Sequence, residues 1–101
     1  MLLQRYQVID KYFEQEFPQL QGEYKLLARL GKITEELGEL NSAVHGNLNL
    51  HRQDKQAKHD PENVAREWAD VFNTVMLFGL VLDLDMPSVI ESRLNEIDTR
   101  Y

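Results

Sequence analysis

An all-α fold is the reading this chain supports: four helices in a single domain over residues 1–101, bundle-like and completed by oligomerisation. Three observations carry it. Apolar residues recur every three or four positions through most of the length, proline and aspartate stand at the breaks, and no stretch alternates apolar with polar residues as a half-buried strand does.

The first helix is read from Leu2, Tyr6, Ile9 and Phe13, and it closes where Pro18 disfavours helical geometry at Phe17. The second, from about Glu23 to His45, has the cleanest rhythm: Leu26, Leu30, Ile33, Leu37, Leu40 and Val44 step by four and three, as in a packed bundle helix. Gly31 and Gly38 interrupt it, each at a cost of up to about 1 kcal/mol against alanine. Gly38 lies between Glu36 and Glu39 and is read as a close helix approach or as room beside a ligand.

Gly46 to Asp60 is polar, lacks apolar periodicity and reads as the linker. Asp60 then caps a third helix, with Pro61 at its first position and Glu62 favourable to the dipole. Val64, Trp68, Val71, Phe72, Val75 and Phe78 form its stripe, which puts Trp68 in the expected core. From Val75 to Leu82 apolar residues run right round the axis, and such a helix needs cover on every side. Four short helices supply too little of it, so a homodimer or a dimer of dimers is expected. Asp85 and Pro87 mark the next break, and Val89, Ile90, Leu94 and Ile97 support a last helix.

Composition narrows the function. Hydrophobic residues make up 43% and charged ones 28%, the balance of a globular chain rather than a disordered one. With 11 basic against 17 acidic residues the net charge is −6, which argues against a surface for nucleic-acid polymers or anionic membranes. The absence of cysteine excludes disulfides, thiolate chemistry and Cys-based metal sites. The N-terminus turns polar at once and no apolar run suits a bilayer, so a cytoplasmic protein without a membrane span is expected.

The chemistry lies in two acidic pairs, Glu36-Leu-Gly-Glu39 and Glu67-Trp-Ala-Asp70. Acids three apart share a helix face, about 60° apart around the axis, and repel one another. Folding two such pairs together is costly unless a cation sits among them. Oxygen ligands without cysteine or a neighbouring histidine favour Mg²⁺, or Mn²⁺, over Zn²⁺. If the second and third helices pack as antiparallel neighbours, both pairs can border one groove; the plainer alternative is two solvated acidic shoulders.

The string Lys32-Ile33-Thr34-Glu35-Glu36-Leu37-Gly38-Glu39-Leu40, followed after a polar loop by Arg66-Glu67-Trp68-Ala69-Asp70-Val71, resembles the MazG-type nucleotide pyrophosphohydrolases of the all-α nucleoside triphosphate pyrophosphatase superfamily. Their mark is ExxE, a spacer and ExxD, each on a helix, and the likeness covers about Leu26 to Leu82. It implies metal ligation by Glu36, Glu39, Glu67 and Asp70 and Mg²⁺-dependent hydrolysis of a nucleoside triphosphate to the monophosphate and pyrophosphate. Glu35 or Glu39 is the implied base for the attacking water. Lys32 is a phosphate contact by the same likeness, or the partner of Glu36 one turn on. Arg93 and Asn95, with Arg100, resemble the basic-plus-Asn pattern that contacts phosphate in related enzymes. Asn73, an amide in an apolar stretch, serves base recognition or a structural hydrogen bond. Tyr6, Tyr12, Phe13, Phe17 and Tyr24 are aromatics that either stack a base or pack the core.

Lys55 and Lys58 could close over phosphates, while His45, His51 and His59 match no common ligand spacing. A di-iron bundle would need Glu-x-x-His pairs, absent here. The other rival is a non-catalytic helical oligomerisation or regulatory module that carries acidic faces by chance.

Overall fold

The computed structural model describes residues 2–47 and 60–100. Four helices are seen: α1 (Leu2–Glu16), α2 (Glu23–Asn47), α3 (Pro61–Val81) and α4 (Met86–Asp98), with no strand among the described residues. The all-α reading therefore holds, with one boundary moved. α2 continues through Gly46 and Asn47, so the linker starts later than its composition suggests. Glycine in a final helical turn costs little, since helices commonly end on it. Lys55, Lys58, His51 and His59 lie outside the described residues.

Short polar side chains set the helix ends. The Asp60 carboxylate accepts from the Asn63 amide at 3.0 Å, with Pro61 in the first turn, and Asp85 accepts from the Ser88 amide at 3.4 Å to open α4. α3 ends in a Schellman turn: Asp83 N–H donates to the Leu80 carbonyl at 3.0 Å and Leu84 N–H to the Gly79 carbonyl at 3.1 Å. Asp83 holds φ of 55°, a left-handed conformation that glycine adopts without strain. Asp83→Gly is accordingly expected to raise stability by about 0.5–1 kcal/mol, read as a higher denaturant midpoint at unchanged slope. A lower midpoint would show that the Asp83 side chain stabilises the turn.

Beyond that turn α4 swings 110° away from α3. No single described helix is long and apolar enough to cross a membrane. Met86, at the start of α4, packs back onto Gly79: a Cβ built there would collide with the Met86 thioether sulfur.

α2 and α3 form the main interface. Gly46 lies by Asp60 around one cavity, while Glu36 meets Glu67 and Asp70, so the two helices run antiparallel. α1 is tied to α3 by the Tyr6 hydroxyl, which donates to Asn73 Oδ1 at 2.7 Å. It is tied to α2 by ions: Asp10 receives Arg29 Nη2 at 2.8 Å and Lys25 Nζ at 3.3 Å, and Lys25 also reaches Glu14 at 2.8 Å.

The interior is thin. Among the described residues the buried large apolar side chains are Tyr6, Leu77 and Met86. The radius of gyration is 16.8 Å, against about 13 Å for a closed domain of this length. Part of each predicted stripe faces outward: Leu37 is 53% exposed and Trp68, expected in the core, is 61% exposed, while Leu26, Ile33, Leu40, Val44, Val64, Val71 and Phe78 are half-buried. What lies in the α2–α3 seam is the acidic shoulder of each helix. Val75 and Leu82 are also exposed, so the all-round apolar stretch of α3 is not enclosed by the described residues.

Candidate metal centre

The antiparallel seam gathers carboxylates from both helices. Glu36 of α2 and Glu67 and Asp70 of α3 each bring one oxygen to within 4.8 Å of the others. Glu36 is 12% exposed, and its Oε1 meets Lys32 Nζ at 3.3 Å. The other oxygen of Glu36, Oε2, and Oε2 of Glu67 are buried with no hydrogen-bond partner among the described residues.

Two partnerless, mutually repelling carboxylate oxygens are an expensive arrangement without a compensating positive charge. A divalent cation is the compensation the donor set fits: hard oxygens only, on facing helices. Acid-rich surfaces are common without metals, and the orphaned oxygens are what separate this cluster from a solvated shoulder.

Glu39, the fourth acid, stands outside that trio. It is exposed and lines a cavity of about 350 Å³ together with Ser42, Asn63 and Glu67. Its carboxyl is held above the usual carboxylate range, chiefly by the charge of Glu36 and a hydrogen bond with it, and further by burial, Glu67 and Glu35. A folded-state value raised above the unfolded one means that this carboxyl stabilises the fold most in acid and loses that contribution as pH rises through the raised value. In EDTA the protein is expected to melt at a higher temperature at pH 5 than at pH 7, and Mg²⁺ is expected to remove the difference. Equal melting temperatures in EDTA would contradict the electrostatic crowding. Glu14, whose carboxyl Lys25 holds below its ordinary value, acts in the opposite sense only at lower pH.

The remaining sequence candidates fall as follows. Lys32 forks between Glu35 and Glu36, each at 3.3 Å, and its ammonium is held protonated above the usual lysine value chiefly by Glu35, with Glu36 adding. Glu35 is exposed and engaged with Lys32. Asn73 uses its amide oxygen to receive Tyr6, a structural bond between α1 and α3. Arg93 pairs with Glu96 at 2.6 Å on its own helix, and Asn95 supplies its backbone carbonyl to the Thr99 cap. Gly38 meets nothing within 4 Å in the position of a Cβ, so it marks open space rather than a helix crossing. Sequence reasoning passed over Ser42 and Asn63 at the cavity wall; their positions one turn from Glu39 and Glu67 were the available signal.

Fold and carboxylates together define a class: small all-α proteins that gather acids from two antiparallel helices around a cation-sized space. Comparison with curated proteins and with solved structures finds no match. Residues 8–95 match the family model of phosphoribosyl-ATP pyrophosphohydrolase, and the chain belongs to that family. The family lies within the MazG-like all-α nucleoside triphosphate pyrophosphatase superfamily, which makes this chain a pyrophosphohydrolase acting on an acid anhydride of a nucleotide.

Proposed function

We propose that the protein cleaves the α–β phosphoanhydride of a nucleoside 5′-triphosphate, phosphoribosyl-ATP being the first candidate, and releases pyrophosphate and the corresponding monophosphate with Mg²⁺ (Mn²⁺ as a substitute). The observation that carries this reading is the pair of buried, partnerless oxygens on Glu36 and Glu67 beside Asp70, within a chain of this family. Glu36, Glu67 and Asp70 would hold the ion, with Glu39 joining from the cavity edge. Bound there, Mg²⁺ supplies neutralisation of the polyphosphate, a polarised phosphoryl oxygen and a more acidic water.

The chain's own residues do the rest. Water adds to phosphorus, the bridging P–O bond breaks, and the proton of the water passes to a carboxylate. Glu39 is favoured for that proton because it is exposed at the cavity, whereas Glu35 is engaged with Lys32. Lys32, one turn before Glu36, orients that carboxylate and offers a cation to phosphate. Arg93 and Asn95 remain proposed phosphate contacts, Arg93 by turning from Glu96.

The exposed apolar line of Leu37, Trp68, Phe72 and Val75 supports association of two or four copies, which would cover the face that the protomer leaves open. A nucleotide substrate points to the cytoplasm.

The test is a panel of phosphoribosyl-ATP and canonical, deoxy and modified nucleotides with Mg²⁺, separating pyrophosphate from orthophosphate. Pyrophosphate that disappears in EDTA is expected. Orthophosphate with a diphosphate product would contradict the cleavage position, and no hydrolysis together with no Mg²⁺ effect on melting would favour the non-catalytic module.

A further inference from the structure

A second cavity, of about 420 Å³, lies between α1 and α2 and is walled by Phe13, Phe17, Leu20, Ala28 and Arg29, with Lys32 at its border. That volume is in the range of small-molecule sites, about 300–1,000 Å³. The Arg29 guanidinium lies 4.9 Å over the Phe13 ring. Nη2 is engaged with Asp10 at 2.8 Å, while Nη1 is buried with no hydrogen-bond partner among the described residues. A buried donor on a guanidinium left unpaired costs about 1–3 kcal/mol or more, a cost that an acceptor bound at Nη1 would remove.

Charge selects what that acceptor belongs to. Lys25 and Arg29 are both committed to Asp10, and Glu14, also on the wall, holds Lys25. A phosphate would therefore meet the Glu14 carboxylate and cations already paired with acids, Lys32 included. An uncharged flat ring with a carbonyl oxygen or ring nitrogen fits instead: its apolar body suits the wall of Phe13, Phe17 and Leu20, and its acceptor suits Nη1. Position gives the link to the acids. Lys32 lines this cavity and at the same time stands 3.3 Å from Glu36 Oε1, so it joins the cavity to the acids.

We infer that this cavity is the base subsite: the nucleotide's heterocycle lies against Phe13 and Phe17, accepts a hydrogen bond from Arg29 Nη1, and its phosphates pass Lys32 to the carboxylates. This rests on the proposed nucleotide substrate. Phe17 is 44% exposed, so Phe17→Ala spares the fold; Arg29→Met keeps the stem and removes the donor.

The experiment is steady-state hydrolysis by both variants of the full chain, with inorganic pyrophosphate as the inhibitor that lacks a base. KM is expected to rise at least about fivefold, the low end of a lost base–aromatic contact, with kcat within about twofold, as for uniform binding. Inhibition by pyrophosphate should not change. An unchanged KM, or pyrophosphate inhibition weakened in parallel, overturns the subsite. Failure of the function reading is separable by ¹H–¹⁵N mapping with AMP. Shifts at Phe13, Phe17 and the Arg29 Nε–H in a wild type that hydrolyses nothing keep the subsite and remove the proposed reaction. No shift at those three residues, or shifts that follow protein concentration instead of AMP, overturn the subsite, the latter because a second copy fills it.

Discussion

Glu67→Gln is expected to abolish Mg²⁺-dependent hydrolysis while making the metal-free protein more stable, so that the order of melting temperatures reverses between EDTA and Mg²⁺. In EDTA the wild type carries buried, partnerless oxygens on both Glu36 and Glu67, within one cluster of carboxylates. An amide at 67 removes one charge and offers an N–H to Glu36. Relief of an unpaired buried group is worth about 1–3 kcal/mol, and each kcal/mol moves Tm by about 4–8 °C in a domain of this size. With Mg²⁺ the wild type gains RT ln(1 + [L]/Kd), about 2.7 kcal/mol at a hundredfold excess over Kd. The variant lacks a charged ligand and should gain far less. Activity should fall by about a hundredfold or more, the scale of losing one electrostatic contact to the developing charge. Calorimetry in both media plus a pyrophosphate assay reads all of this. A variant less stable than wild type in EDTA would mean that Glu67 has a structural partner, and the metal reading would fall with it.

Gly79→Val should be the most damaging substitution away from the acids. The added carbon collides with the Met86 sulfur, with Met86 Cγ at 3.0 Å, and Met86 is one of three well-buried apolar side chains among the described residues. Overpacking costs about 1–3 kcal/mol, and valine recovers only part of the roughly 1 kcal/mol that glycine gives up within a helix. A fall in Tm of roughly 10 °C is expected. Gly79→Val combined with Met86→Ala should lose less than the sum of the two, because the smaller side chain at 86 vacates the disputed volume. Additive losses would show that Gly79 is required for its backbone alone, through the carbonyl that receives Leu84.

The helices were legible because their signals are local. Periodicity located all four, and Asp60-Pro61 announced the start of α3 to the residue. The acidic pairs were legible for the same reason, since three-residue spacing on a helix is set by the helix itself. The direction each face takes was not. Leu37 and Trp68 belong to the strongest apolar stripes, yet they face outward, because the seam is chosen by what the opposite helix presents. Asp83 gave no warning of its left-handed turn, a position where glycine would have been the readable signal. The Asp10–Arg29–Lys25 network joins residues far apart in sequence, which no spacing rule foresees.

The outward-facing Trp68 is the chain's single tryptophan, stacked on Phe72 with ring centroids 5.9 Å apart and an interplanar angle of 10°. It follows Glu67 directly in sequence. With the proposed ion site and association, the molecule carries its own optical probe beside both: emission is expected to shift to the blue as rising protein concentration drives copies together. Adding Mg²⁺ at fixed protein concentration should change its intensity, and each event can then be followed without a label.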